Sequence, residues 1–132
     1  MAAGKYSFTI VQGSTLDFEV VYKDSNGDPI SLVGHDARMQ IKPSPGSSTT
    51  YMTLSSSIAA DGTGLNLSGS SGTKPLTSGS IGIFISANSS SAFNFEEASY
   101  DLEIASGSTY PVVTRVLEGK IKLSKEITTG SY

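Results

Sequence analysis

ASYDLEIASGSTYPVVTRVLEGKIKL, residues 98–123, is the stretch whose reading decides the fold. Tyr100, Leu102 and Ile104 alternate with Asp101 and Glu103, the two-residue period of a strand with one buried face. Residues 106–109 (SGST) form a turn by composition, because Gly accepts backbone angles that other residues resist and Ser bonds its own backbone. Residues 111–117 are β-branched and apolar, and beyond Gly119 a second alternation runs Lys120-Ile121-Lys122-Leu123. This is a hairpin with one long, bent arm, and Gly119 is expected to mark a bulge or a passage between sheets. Two registers compete. Asp101 opposite Arg115 sets Leu102 beside Thr114 and needs a bulge near Gly119; Tyr100 opposite Arg115 sets Leu102 beside Val113 and needs none. A one-residue slip exchanges the faces, and the first is favoured because it leaves Arg115 wet and paired.

Working outward, Tyr6, Phe8 and Ile10 alternate with Ser7 and Thr9, and Gln12-Gly13-Ser14 ends that strand. Leu16, Phe18, Val20 and Tyr22 give the cleanest strand pattern in the chain. Asp24-Ser25-Asn26-Gly27-Asp28-Pro29 contains Asn-Gly, the strongest short-range hairpin signal, with residues 30–32 as a return arm. Ala37, Met39 and Ile41 mark another strand, and 43–48 is a loop. Residues 51–54 and 65–67 read as short strands, 68–79 as the most flexible segment, and 81–85 as a strand weakened or bent by Gly82. Residues 88–95 hold one helical turn capped by Asn88 or Ser89, and 126–132 form a short polar tail. The reading is an all-β single domain, 1–132: an antiparallel β-sandwich of seven to nine short strands.

Composition narrows the chemistry. The 132 residues contain no cysteine, one histidine and a net charge of -3. Disulfides, thiolate metal sites and the common nucleophilic triads are excluded by inventory. The nine basic residues are scattered, which gives no nucleic-acid footprint. No apolar run approaches a membrane span, and no signal peptide opens the chain, so synthesis in a cytoplasm is expected. The two sequons, at Asn66 and Asn88, are read as chance.

The remaining motifs resolve into turns and wet faces. His35-Asp36 is a solvated pair. Asp24, Asn26 and Asp28 have calcium-loop spacing, but Pro29 and His35 occupy the positions that need Gly and a bidentate Glu. Glu96-Glu97 and Asp101/Glu103 do not converge across a cleft as paired catalytic carboxylates must. GSSGTK (69–74) runs into Pro75 where a phosphate loop needs a helix. No catalytic residue, metal site or cofactor is therefore expected. Aromatic residues near loops or ends, Tyr51, Phe93, Phe95, Tyr110 and Tyr132, either anchor a partner or cap the sandwich.

These segments carry a resemblance. Phe8-Thr9-Ile10-Val11-Gln12-Gly13-Ser14-Thr15 resembles the opening of immunoglobulin-like modules in tailed-phage virion proteins. Residues 22–34 and Ala37-Arg38-Met39-Gln40-Ile41-Lys42 are similar to the following segments, and Tyr100-Asp101-Leu102-Glu103-Ile104 with 113–119 to the closing hairpin. Ser31 stands where those modules usually carry Asp. The N-terminal domain of baseplate upper proteins is one relative of this type. The resemblance implies an Ig-like sandwich and a non-enzymatic virion protein that docks on the tail or baseplate, in several copies, against other virion proteins. The alternatives are a capsid decoration protein and a small carbohydrate-binding adhesin module using Tyr51 or Tyr110.

Docking would draw on Tyr6, Phe8, Tyr51, Phe93, Phe95 and Tyr110. The first strand carries only Ser7 and Thr9 outward, a weakly guarded sheet edge of the kind that accepts an added strand. Neither nucleic acid nor membrane is an expected partner. A host glycan is a weaker expectation, since no single segment combines an aromatic platform with fixed polar groups.

Overall fold

The computed structural model describes residues 4–107 and 111–127. Nine strands among them form two facing sheets of a β-sandwich. They are β1 (Gly4–Lys5), β2 (Phe8–Val11), β3 (Leu16–Val21), β4 (His35–Lys42), β5 (Met52–Ser55), β6 (Gly64–Asn66), β7 (Ser80–Ile85), β8 (Glu97–Ser106) and β9 (Val112–Ser124); one short helix, α1 (Ala87–Ser91), precedes β8. The larger sheet runs β1-β9-β8-β4-β5, with β2 continuing along β9 beyond β1, and the smaller runs β3-β7-β6.

The alternation in the sequence builds the core directly. Ala37, Met39 and Ile41 of β4, Tyr100, Leu102 and Ile104 of β8, and Ile121 and Leu123 of β9 point inward from one sheet. They meet Ile81, Ile83 and Ile85 of β7 and Leu65 of β6 from the other. Burying each large aliphatic side chain is worth about 1.5–3 kcal/mol, so this single contiguous core supplies most of the driving force.

The first strand departs from the expected antiparallel plan. β1 and β2 run parallel to β9, with Gly4 opposite Leu117 and Phe8 opposite Ile121. A parallel pair needs a long connection, and here nearly the whole chain provides it. The closing hairpin also differs from both expected registers. Glu103 lies opposite Arg115 and Ile104 opposite Thr114; the register then shifts between Leu102 and Glu103, so that Leu102 faces Leu117. The bulge therefore falls at Val116, before Gly119, and it returns Leu117, Ile121 and Leu123 to the inner face. Arg115 is half-exposed and reaches both Asp101 (3.3 Å) and Glu118 (3.1 Å). The expected wet, paired arginine is thus present, with Asp101 as a diagonal neighbour.

Gly119 and Gly82 serve close approach more than bending. A Cβ on Gly119 would overlap the Tyr6 carbonyl oxygen, and one on Gly82 would come within 2.6 Å of the Ser70 nitrogen. β9 stays in one sheet throughout. The 30–32 arm makes no strand: Lys23 and Pro29 form an isolated bridge and the Ile30 N–H bonds the Tyr22 carbonyl (2.9 Å). Helix α1 is capped by Ser86, two or three residues earlier than read, with its side chain accepting from the Ser89 N–H.

Candidate functional site

Where the two sheets meet along one side, both leave an edge open. β1 and β2 form the edge of the larger sheet and β3 that of the smaller. Aromatic rings bridge them. Tyr6 stacks on Phe8 at 5.8 Å and tilts against Phe18 of β3 at 5.9 Å; Phe8 meets Phe18 edge-on at 5.1 Å and Tyr100 at 5.2 Å. Tyr6 is 48% exposed, and Val11 on β2 and Val21 on β3 are exposed as well. An apolar seam therefore runs between two edges with which, among the described residues, no further strand pairs. On the far side of the sandwich the consecutive strands β5 and β6 pack against each other.

The seam is held by one hydrogen bond that no sequence pattern announces. The Tyr100 hydroxyl, buried under β1 and β2, donates to the Tyr6 carbonyl, which approaches β9 closely because Gly119 has no side chain. The Ser7 hydroxyl then accepts from the Lys120 N–H (3.2 Å), so the ladder is maintained past the detour. Burial, with a smaller contribution from neighbouring Tyr6, pushes the Tyr100 phenol well above the ordinary tyrosine value.

The other expected docking aromatics divide. Phe93 and Phe95 are 5% and 6% exposed and pack edge-on at 5.2 Å, so their rings belong to the core and offer no contact surface. The reason is α1: its one turn folds the 93–95 segment back over the open end of the sandwich. Tyr51 lies flat over Phe95 at 4.9 Å with its outer surface partly exposed, which makes it a lid on the core. Phe8 is half-buried within the seam and Tyr6 is its exposed member. Tyr110 and Tyr132 lie outside the described residues. Alternation places Val11 and Val21 on outward faces and Phe18 on the inner one, as observed, but does not say which strand becomes an edge.

Two polar clusters fasten the end of the sandwich that carries α1. Gln12 donates to the Phe93 carbonyl (2.7 Å) and accepts from the Glu126 N–H (2.9 Å). The wholly buried Ser90 hydroxyl accepts from the Gly13 N–H (3.1 Å) and donates to the Ser14 carbonyl (2.7 Å). The Gln-Gly-Ser turn is thus a structural staple. Asp61 accepts from the Ser86 hydroxyl (2.6 Å), the Ser89 hydroxyl (2.8 Å) and the Thr63 N–H (3.0 Å). These donors hold its carboxyl well below the usual carboxylate range, the Ser86 bond contributing most.

The remaining titratable residues sit apart. Asp24 accepts from the Asn26 and Asp28 N–H groups (2.9 and 3.0 Å), so its carboxylate closes the turn. His35 Nδ1 donates to the Val33 carbonyl (3.1 Å). The Ser31 hydroxyl accepts from the Val33 N–H (3.3 Å) and closes that turn. Glu97 pairs with Lys120 across the outer face. Among the described residues no three His, Asp or Glu side chains gather as a metal site, and no helix is long and apolar enough to cross a membrane.

Shallow depressions on the outer faces include three among the described residues. Two lie on the larger sheet, one of about 180 Å3 between Gln40, Lys42, Asp101 and Arg115, the other of about 430 Å3 between Arg38, Glu103, Ala105 and Val113. Neither is floored by an exposed aromatic ring. The third, of about 220 Å3, surrounds Phe84 on the smaller sheet. No family model matches this chain, and no curated protein matches it.

Proposed function

We propose that this domain is a non-enzymatic docking module of a tailed-phage virion, an adaptor or accessory part of the tail or baseplate bound to other virion proteins. The observation that carries the reading is the seam. Tyr6, Phe8 and Phe18 bridge two sheet edges that no further strand covers among the described residues, and β2 carries no charged residue to turn away an incoming strand. Strand addition supplies main-chain hydrogen bonds, and the exposed Tyr6, Val11 and Val21 supply apolar anchors beside them. The resemblance of residues 8–15, 22–34, 37–42, 100–104 and 113–119 to Ig-like virion modules indicates the kind of neighbour.

The test is co-expression of the chain with the products of the genes on either side of its own, read by size-exclusion chromatography. A stoichiometric complex is expected, and Val11→Glu with Val21→Glu abolishes it while leaving the monomer folded. A chain that stays monomeric with every neighbour, or a complex indifferent to the double substitution, overturns the reading.

A further inference from the structure

The outer face of the smaller sheet carries a site that the seam does not use. On β7 the outward residues are Gly82 and Phe84. Asp17 of β3 and Gly64 of β6 stand opposite Phe84, while Glu19 and Asn66 stand opposite Gly82. Side chains directly opposite on one face lie about 4.5–5.5 Å apart at Cβ, and diagonal ones about 7–8 Å. Asp17 is therefore the immediate neighbour of the Phe84 ring and Asn66 its diagonal neighbour. A trough of about 220 Å3 surrounds Phe84, flanked by the exposed Ile58 and bordered by Gly62, Gly64 and Gly82; Gly62 lies against the ring, where a Cβ would come within 3.1 Å of it, and the Ser70 backbone covers Gly82.

The walls of the trough are fixed. Glu19 accepts from the Ser70 N–H (2.9 Å) and pairs with Lys74 Nζ (2.6 Å), which holds the 69–70 turn over Gly82. The Asn66 side-chain oxygen accepts from the Ser68 N–H (2.9 Å), so its amide hydrogens are left as donors. The Asp17 carboxylate makes no hydrogen bond or ion pair among the described residues. The trough thus combines an aromatic platform, a fixed amide donor and a free carboxylate acceptor.

We propose that this trough binds a single neutral saccharide ring. A pyranose has an apolar C–H face, which suits Phe84, and hydroxyls that both donate and accept, which suit Asp17 and Asn66 together. An apolar ligand would desolvate Asp17 without a partner, and an anion would meet the Asp17 charge. The volume is below the roughly 300–1,000 Å3 of sites for drug-sized ligands, so one ring fills it. No single segment announced such a site: three strands and the 69–70 turn bring the groups together.

The test is saturation-transfer NMR of the intact protein with a panel of neutral monosaccharides, with choline as a cationic control. At least one sugar is expected to bind with a dissociation constant on the order of millimolar, as a ligand of so few atoms allows, and to show its strongest transfer on the C–H face. Asp17→Ala weakens that binding about tenfold or more, a difference of about 1.4 kcal/mol. Phe84→Leu, which keeps an apolar side chain on the sheet, abolishes the transfer, and Val11→Glu leaves it unchanged. Absence of binding across the panel, preference for choline, or sugar binding that survives both Asp17→Ala and Phe84→Leu overturns the proposal.

Discussion

Replacing Gly119 by Ala adds one methyl group to β9, and the structure makes that group costly. Its position lies 2.0 Å from the Tyr6 carbonyl oxygen, part of the backbone that links β1 to β2. Backbone cannot rotate away as a side-chain tip does, so the 4–8 segment has to lift. Overpacking of this kind costs about 1–3 kcal/mol. Lifting the segment also takes the Tyr6 carbonyl from the buried Tyr100 hydroxyl, and an orphaned buried donor costs about 1–3 kcal/mol more. The sum, about 2–6 kcal/mol, is a large part of the roughly 5–15 kcal/mol that holds a domain together. Guanidinium unfolding of Gly119→Ala, Tyr100→Phe and the double variant measures it, with amide exchange over residues 4–11 as the local readout. The expected double-mutant cycle is strongly non-additive, because Gly119→Ala has already broken the bond that Tyr100→Phe removes. Stability of Gly119→Ala within about 0.5 kcal/mol of the parent, or strict additivity, would refute the reasoning.

The same structure sets further expected outcomes. The Asp61 carboxyl is held below its ordinary value of 3.8, so its contribution is complete above about pH 4 and fades as pH falls toward the lowered value. The melting-temperature gap between the parent and Asp61→Asn is therefore expected to be widest above pH 4 and to narrow below it; a constant gap contradicts this. Tyr100 has the opposite sign. Its phenol titrates above the ordinary value of 10, so stability is intact below pH 10 and declines as pH rises beyond it. A spectrophotometric titration of the six tyrosines should show one lagging the others, and Tyr100→Phe should remove that component. Gln12→Ala, which strips partners from the Phe93 carbonyl and the Glu126 N–H, is expected to cost about 1–3 kcal/mol by chemical denaturation. Arg115→Ala should cost under about 1 kcal/mol, since its partners are half in water.

The sandwich was legible because burial on one face of a strand writes a period of two into the chain. Met39, Leu102, Ile83 and Ile121 all stand where that period places them. Partner choice and register were harder, because they depend on events that leave no periodic mark. A bulge at Val116 shifts half a hairpin by one residue, and nothing in Val113-Thr114-Arg115-Val116-Leu117 tells which residue is extra. The parallel docking of β2 on β9 joins segments more than 110 residues apart. Of the aromatic residues singled out, Tyr6 is exposed although alternation sets it on the face of Phe8 and Ile10, because it lies at the edge between β1 and β2. Phe93 and Phe95 were misplaced because a single helical turn, too short for a period, decides whether they face water. The Phe84 trough was invisible for a similar reason: its polar groups come from separate strands, and only pairing register sets Asp17 and Asn66 on either side of Phe84.

The pairing of the first strand with the last also sets how the domain responds to force. β2 and β9 run side by side in the same direction, from Phe8 opposite Ile121 to Val11 opposite Ser124. Tension applied between the start of the chain and its end pulls these strands past each other along their length. The ladder bonds are then loaded together in shear, whereas an antiparallel terminal pair would open them one after another like a zip. The buried Tyr100 bond to Tyr6 lies under the same ladder and must break in the same event. Stretched end to end, the domain should resist as a clamp, yielding at one high force peak, and Gly119→Ala should lower that peak more than any substitution in the smaller sheet.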